Sequence, residues 1–156
     1  MTIIKARSLA ATIALLGTLG SPSMLHAQMG VGTWVRQATS SMSSMTMKVE
    51  ACCGSGRRLT YHIGSNATAM VLTLESRFDG SSAPVLINGK PSGETMEITR
   101  VDDHHLSTIL KMNGKTFGTS KATLSADGKT LTVINEFTSS SGGQKPGKTT
   151  EVWVRK

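Results

Sequence analysis

Apolar and polar residues alternate along much of this chain in short runs, and pairs of Asn or Asp with Gly recur between the runs. The clearest run is 68–78, where Met70, Leu72 and Leu74 lie on one face and Thr73, Glu75 and Arg77 on the other. A period of two places consecutive side chains on opposite sides of an extended strand, so one face is buried and the other is wet. The same pattern predicts strands over 32–38, 42–50, 57–63, 84–87, 94–101, 105–112, 115–124, 130–137 and 149–155. Thr, Val and Ile are frequent in these runs, as half-buried strands prefer. No window of about 11 residues or more carries a helical period.

The punctuation between the runs is as informative as the runs. Asp79-Gly80, Asn88-Gly89, Asn113-Gly114 and Asp127-Gly128 each suit a tight hairpin turn, because both residue types accept positive φ at little cost. Asp102-Asp103-His104 predicts a fifth turn, and Pro84 suits the first position of a short or edge strand. Residues 139–148, rich in Ser, Gly and Pro, read as an exposed hairpin loop, and 39–44 as a polar connection. Strands joined in sequence by hairpins form a meander, and a meander of about ten strands closes into an up-and-down barrel. The expected fold class is therefore all-β, an antiparallel up-and-down barrel.

The first 27 residues stand outside that pattern. Lys5 and Arg7 precede an apolar stretch from Leu9 to Leu19, which is too short to span a bilayer; Ser21-Pro22-Ser23 follows, with a small residue at Ala27. This is the layout of an export signal, with cleavage expected near Ala27 and a periplasmic or secreted product. The remainder, 28–156, is one domain's worth of chain with no further span.

Charge narrows the function classes. The formal net charge is +7, but the basic residues are scattered, with Arg57-Arg58 and Arg155-Lys156 the adjacent pairs. Nucleic-acid binding needs a basic stripe interleaved with stacking aromatics, and neither is present. The only cysteines, Cys52 and Cys53, are neighbours and cannot staple distant strands. They can bond to each other, cross-link two chains or remain reduced. Asp102, Asp103, His104 and His105 form the densest group of metal-ligand types, yet adjacent strand residues point to opposite faces, so no metal site is expected there. His62 belongs to a polar face, the serines crowd into polar segments, and Glu75 and Glu97 are expected to face solvent. No catalytic set, phosphate loop or cofactor motif emerges.

Two terminal motifs carry a family resemblance. Gly32-Thr33-Trp34 opens the first predicted strand, and Glu151-Val152-Trp153-Val154-Arg155 ends the last. With the hairpin segments Ile98-Thr99-Arg100-Val101-Asp102-Asp103 and 125–133, they make residues 28–156 resemble the small exported lipocalin-like proteins of bacteria. The opening motif is similar to the Gly-x-Trp of lipocalins and fatty-acid-binding proteins. The resemblance implies that Trp34 seals one barrel end and that Arg155 packs across its ring. It departs from fatty-acid-binding proteins in one respect: 38–44 is too short for their two-helix lid.

The functional expectation is a non-catalytic barrel that binds a small apolar or amphipathic molecule. Its cavity would be lined by Met70, Leu72, Leu74, Met96, Ile98, Leu131 and Val133. The alternative is an envelope protein with a solid barrel and no ligand, since barrels of this size either pack full or hold one molecule. Met45, Met47, Met70 and Met96 fall on apolar strand faces, where flexible thioethers suit either outcome.

Overall fold

The computed structural model describes residues 30–37, 44–64, 69–140 and 144–156; the leader expected over 1–27 and most of the connection 39–44 lie outside them. Within the described residues ten antiparallel strands follow one another and close on themselves. They are β1 Gly32–Arg36, β2 Met45–Cys52, β3 Gly56–Ile63, β4 Met70–Ser76, β5 Asp79–Ile87, β6 Lys90–Arg100, β7 His105–Met112, β8 Lys115–Leu124, β9 Thr130–Phe137 and β10 Gly147–Arg155. Each pairs with its sequence neighbour, and β1 meets β10 with Trp34 opposite Arg155, Val35 opposite Val154 and Arg36 opposite Trp153. This is the expected up-and-down barrel, and its closure removes the free edges an open sheet would expose.

The turns largely follow their residue chemistry. Asn88-Gly89 and Asn113-Gly114 take φ of 49° and 77° and of 49° and 80°, the left-handed pair that a two-residue hairpin needs. Asp127 instead organises a longer connection, accepting hydrogen bonds from Ser125 Oγ at 2.6 Å and Lys129 N at 3.0 Å. Asp79-Gly80 is not a turn. The chain reverses earlier, at Arg77–Phe78, where Phe78 takes φ 61° and donates its N–H to the buried Ser76 hydroxyl at 3.1 Å. β5 consequently starts at Asp79, and Pro84 falls inside a strand rather than at its head. Proline is tolerated there because β4 and β5 pair only through Leu72–Ile87 and Thr73–Leu86, leaving Pro84 without a β4 partner.

Two further departures shape the interior. In the β7–β8 ladder Leu110 pairs with Gly118 and Lys111 with Thr116, so Phe117 is an extra residue in a bulge and turns inward. β10 begins at Gly147, so the ladder extends two residues into the loop expected over 139–148, of which 141–143 lie outside the described residues.

The core is concentrated toward one end of the barrel, the end that carries the β2–β3, β4–β5, β6–β7 and β8–β9 hairpins. Trp34, Val49 and Leu74 are there at 1% exposure or less, packed in one cluster with Leu124 and Trp153. Arg155 lies across the Trp34 ring, its guanidinium carbon 5.9 Å from the centroid, and donates from Nη2 to the Val31 carbonyl at 2.6 Å. Glycine before the Trp has a steric reason. A Cβ at Gly32 would lie 3.1 Å from Arg155 Nε, and one at Gly30 would lie 3.0 Å from Nη1. The motif Gly-x-Trp thus clears a path for the arginine to reach the ring.

Candidate functional site

The other half of the barrel is hollow. A cavity of about 560 Å³ runs from the barrel middle toward the end that carries the β3–β4, β5–β6, β7–β8 and β9–β10 connections. Inward positions on every strand from β2 to β10 contribute to its wall, most of them apolar.

Six of the seven residues expected to face a cavity lie on this wall: Met70, Leu72, Met96, Ile98, Leu131 and Val133. Leu74 does not. It shares the inward face of β4 with Met70 and Leu72 but lies one layer deeper, at 1% exposure, inside the packed cluster with Trp34. Each inward step along a strand advances about 6.6 Å, enough to carry a side chain from cavity wall to solid core. Period alone assigns the face and says nothing of depth. Met70, at 42% exposure, marks the opposite limit, where the wall reaches solvent.

Several wall residues were not singled out from sequence. Phe137 stacks on Phe117 with ring centroids 6.3 Å apart and planes at 10°, and both line the cavity beside Leu110 and Met112. Phe137 was within reach of the pattern, since it continues the inward series of Leu131 and Val133. Phe117 was not, because the bulge breaks the period at that residue. Glu94 and Glu151 share the inward face with Met96 and Trp153 and also line the cavity.

These polar groups have distinct environments. Glu151 accepts hydrogen bonds on both oxygens, from Arg36 Nη1 at 3.1 Å and from Trp153 Nε1 at 3.2 Å. The Arg36 side chain is only 6% exposed, so the pair sits inside the barrel. Tyr61, which meets Trp153 edge-on with centroids 5.9 Å apart, has its phenol pKa pushed upward by burial and further by the Glu151 charge. Glu94 is half-buried, and burial raises its carboxyl above the ordinary carboxylate range.

The other clusters weighed for chemistry lie outside the cavity. Asp102 caps the β6–β7 hairpin, accepting from the backbone N–H groups of His104 and His105, each at 2.8 Å. His105 Nδ1 also meets the Asp102 carboxylate at 2.8 Å, and His104 Nδ1 meets the Leu124 carbonyl at 3.1 Å. The two imidazoles are thus engaged with separate partners. Cys52 and Cys53 are bonded to each other at the β2–β3 turn, where Cys53 takes φ 50°. Glu75 lies beside them and pairs with Arg58 at 2.6 Å. As a disulfide the sulfurs are not thiolates, the form that ligates metal.

Among the described residues the chain is a closed ten-strand antiparallel up-and-down barrel, hollow toward one end. Two solved structures share this fold at low sequence identity. Wild-type fluorescent protein UnaG superposes with a TM-score of 0.59 at 13% identity, covering 81% of this chain and 96% of that one. An asparagine-to-alanine mutant of the same protein superposes with a TM-score of 0.56 at 13% identity, covering 82% and 96%. No protein-family model and no curated protein matches the sequence.

Proposed function

We propose that this chain is an exported, non-catalytic carrier that holds one small apolar or amphipathic molecule inside its barrel. The observation that carries the reading is the cavity itself, about 560 Å³ and walled mainly by aliphatic, methionine and aromatic side chains. Binding sites for small molecules typically span about 300–1,000 Å³ with mostly apolar walls and a few placed polar groups. A solid envelope barrel, the competing reading, would need side chains filling that volume. The methionines favour a carrier too: Met45, Met47, Met70, Met96 and Met112 all reach the wall, and flexible thioethers can repack around different shapes.

Export rests on the pattern of Lys5, Arg7, the apolar stretch 9–19 and Ala27. A non-catalytic role is supported by what the wall offers chemically. Glu151 is held by Arg36 and Trp153, and no nucleophile hydrogen-bonded to a base occurs among the described wall residues.

The test is titration with an environment-sensitive apolar dye. A carrier binds it saturably, one to one, and releases it when a natural amphiphile competes. A folded protein that binds neither dye nor amphiphile rejects the reading. N-terminal sequencing of exported material checks the leader: the mature chain is expected to start near Gln28, and a soluble product retaining Met1 would reject export.

A further inference from the structure

The charged residues that reach the cavity wall are of one sign. Glu94 and Glu151 line it, and no Lys, Arg or His does among the described residues. The segments 38–43, 65–68 and 141–143 contain none of these basic residues in sequence either. Arg36, the cation buried within the barrel, is bonded to Glu151 and does not itself line the cavity. From this arrangement we infer that the bound molecule is an amphiphile whose polar head is neutral or cationic, and that free carboxylates are discriminated against. The inference rests on the carrier reading and narrows its ligand class.

The physics is that of burying a charge. A ligand carboxylate drawn into this half of the barrel would lose water, find no cation on the wall among the described residues, Arg36 being already paired with Glu151, and approach the carboxyl group of Glu94. A hydroxyl or amide head loses less on entry and finds acceptors in the same place, while an ammonium loses about as much as a carboxylate but meets acceptors of opposite charge. Glu94 is the focal point. Its backbone N–H is held by Ser92 Oγ at 3.1 Å, and Ser92 Oγ in turn donates to the Val85 carbonyl at 2.8 Å, which fixes the strand at that position. Among the described residues no side-chain hydrogen bond or ion pair engages the carboxyl group of Glu94, which lines the cavity together with Met96, Met112 and Phe117. It is therefore available to accept from a ligand head. An ammonium there would gain a charge-assisted hydrogen bond in a low-dielectric setting. Ser120 and Asn135, hydrogen-bonded to each other through Oγ and Oδ1 at 2.6 Å, add uncharged polar contacts deeper in the wall.

The experiment compares three probes of equal chain length: a long-chain alcohol, the matching primary amine and the matching carboxylate. Each displaces the apolar dye at neutral pH, below its micelle concentration. The alcohol and amine are expected to bind at least about tenfold more tightly than the carboxylate. Glu94→Gln is expected to remove the amine's advantage over the alcohol, to move alcohol affinity less than about threefold, and to improve carboxylate binding. Equal or tighter carboxylate binding by the wild type would overturn the head-group inference while leaving the carrier reading intact. A Glu94→Gln variant in which the amine keeps its advantage would overturn the role given to Glu94. Failure of all three probes and of the dye would reject the carrier reading itself.

Discussion

The two ends of this barrel are built from the same ten strands and obey opposite packing rules. At one end Trp34, Val49, Leu74 and Leu124 fill the interior, and Arg155 lies over the Trp34 ring on the outer side. At the other, Met45, Met70, Met96, Met112 and the Phe117–Phe137 stack stand around empty space. The difference lies in how each end is tied together. The packed end joins the first and last strands, and a void there would weaken the closure on which every other strand depends. At the hollow end the inward side chains of β2 to β10 only line a wall.

That contrast can be broken at several points. The largest effect is expected from Trp34→Ala, which removes the centre of the packed end and should cost about 3–5 kcal/mol in chemical denaturation. A loss of only a few tenths would mean that the plug contributes little and that the two ends do not differ energetically.

A sharper comparison uses two leucines on one strand face. Leu74→Ala opens a void in the packed end and should destabilise by about 3 kcal/mol without altering dye affinity. Leu72→Ala enlarges a space that already exists. Its loss should stay near 1 kcal/mol, the transfer cost without much new cavity, while dye affinity changes. If the two variants behave alike, depth along the strand is not what separates core from wall.

The third probe is the bulge. A Cβ at Gly118 would lie 2.9 Å from Phe137 Cδ1 and 3.0 Å from the Glu136 carbonyl oxygen. Gly118→Ala should therefore displace the aromatic stack and destabilise by about 1–3 kcal/mol, the usual range for overpacking. Because Phe137 borders the cavity, it can yield inward, and dye binding should weaken together with stability. Unchanged binding would show that the stack is not part of the site.

The smallest effects are electrostatic, and the two ends should respond to pH in opposite directions. At the packed end Asp79, Asp102 and Asp127 have pKa values held below the ordinary range, chiefly by the Ser81 hydroxyl, the His104 backbone N–H and the Ser125 hydroxyl. A lowered folded-state pKa contributes stability above the unfolded value that is lost as pH falls through the folded one. The packed-end hairpins should therefore loosen in acid. Glu94 has a raised value from burial, so it contributes most while protonated and weakens the fold as pH rises past the ordinary carboxylate range. Carboxyl NMR titration checks both signs. Amide exchange that quickens in acid at the hollow-end hairpins, rather than at the packed-end ones, would contradict the assignment.

Much of this architecture was legible before folding. Period-two alternation placed most strands within about four residues, though β5 begins at Asp79, well before the expected start at Pro84, and Asn88-Gly89 and Asn113-Gly114 formed the turns their residue chemistry demands. The same parity that marked Leu131 and Val133 already pointed to Phe137, and that of Met96 and Ile98 to Glu94. Asp79-Gly80 misled because a competing signal lay beside it: the hydroxyl of Ser76 fixes the bend two residues earlier, at a non-glycine residue with positive φ.

The sequence by itself determined which residues are extended, where most hairpins turn and which face of each strand is apolar, because these follow from local geometry that neighbouring residues impose. Only the tertiary structure decided how deep each inward residue lies. Leu72 and Leu74 have the same chemistry and the same parity, yet one lines a cavity and the other is core. Depth depends on strand stagger, on the bulge that turns Phe117 inward and on ladders such as Trp34 opposite Arg155, which unite residues more than a hundred positions apart. Those relations exist only after the barrel has closed.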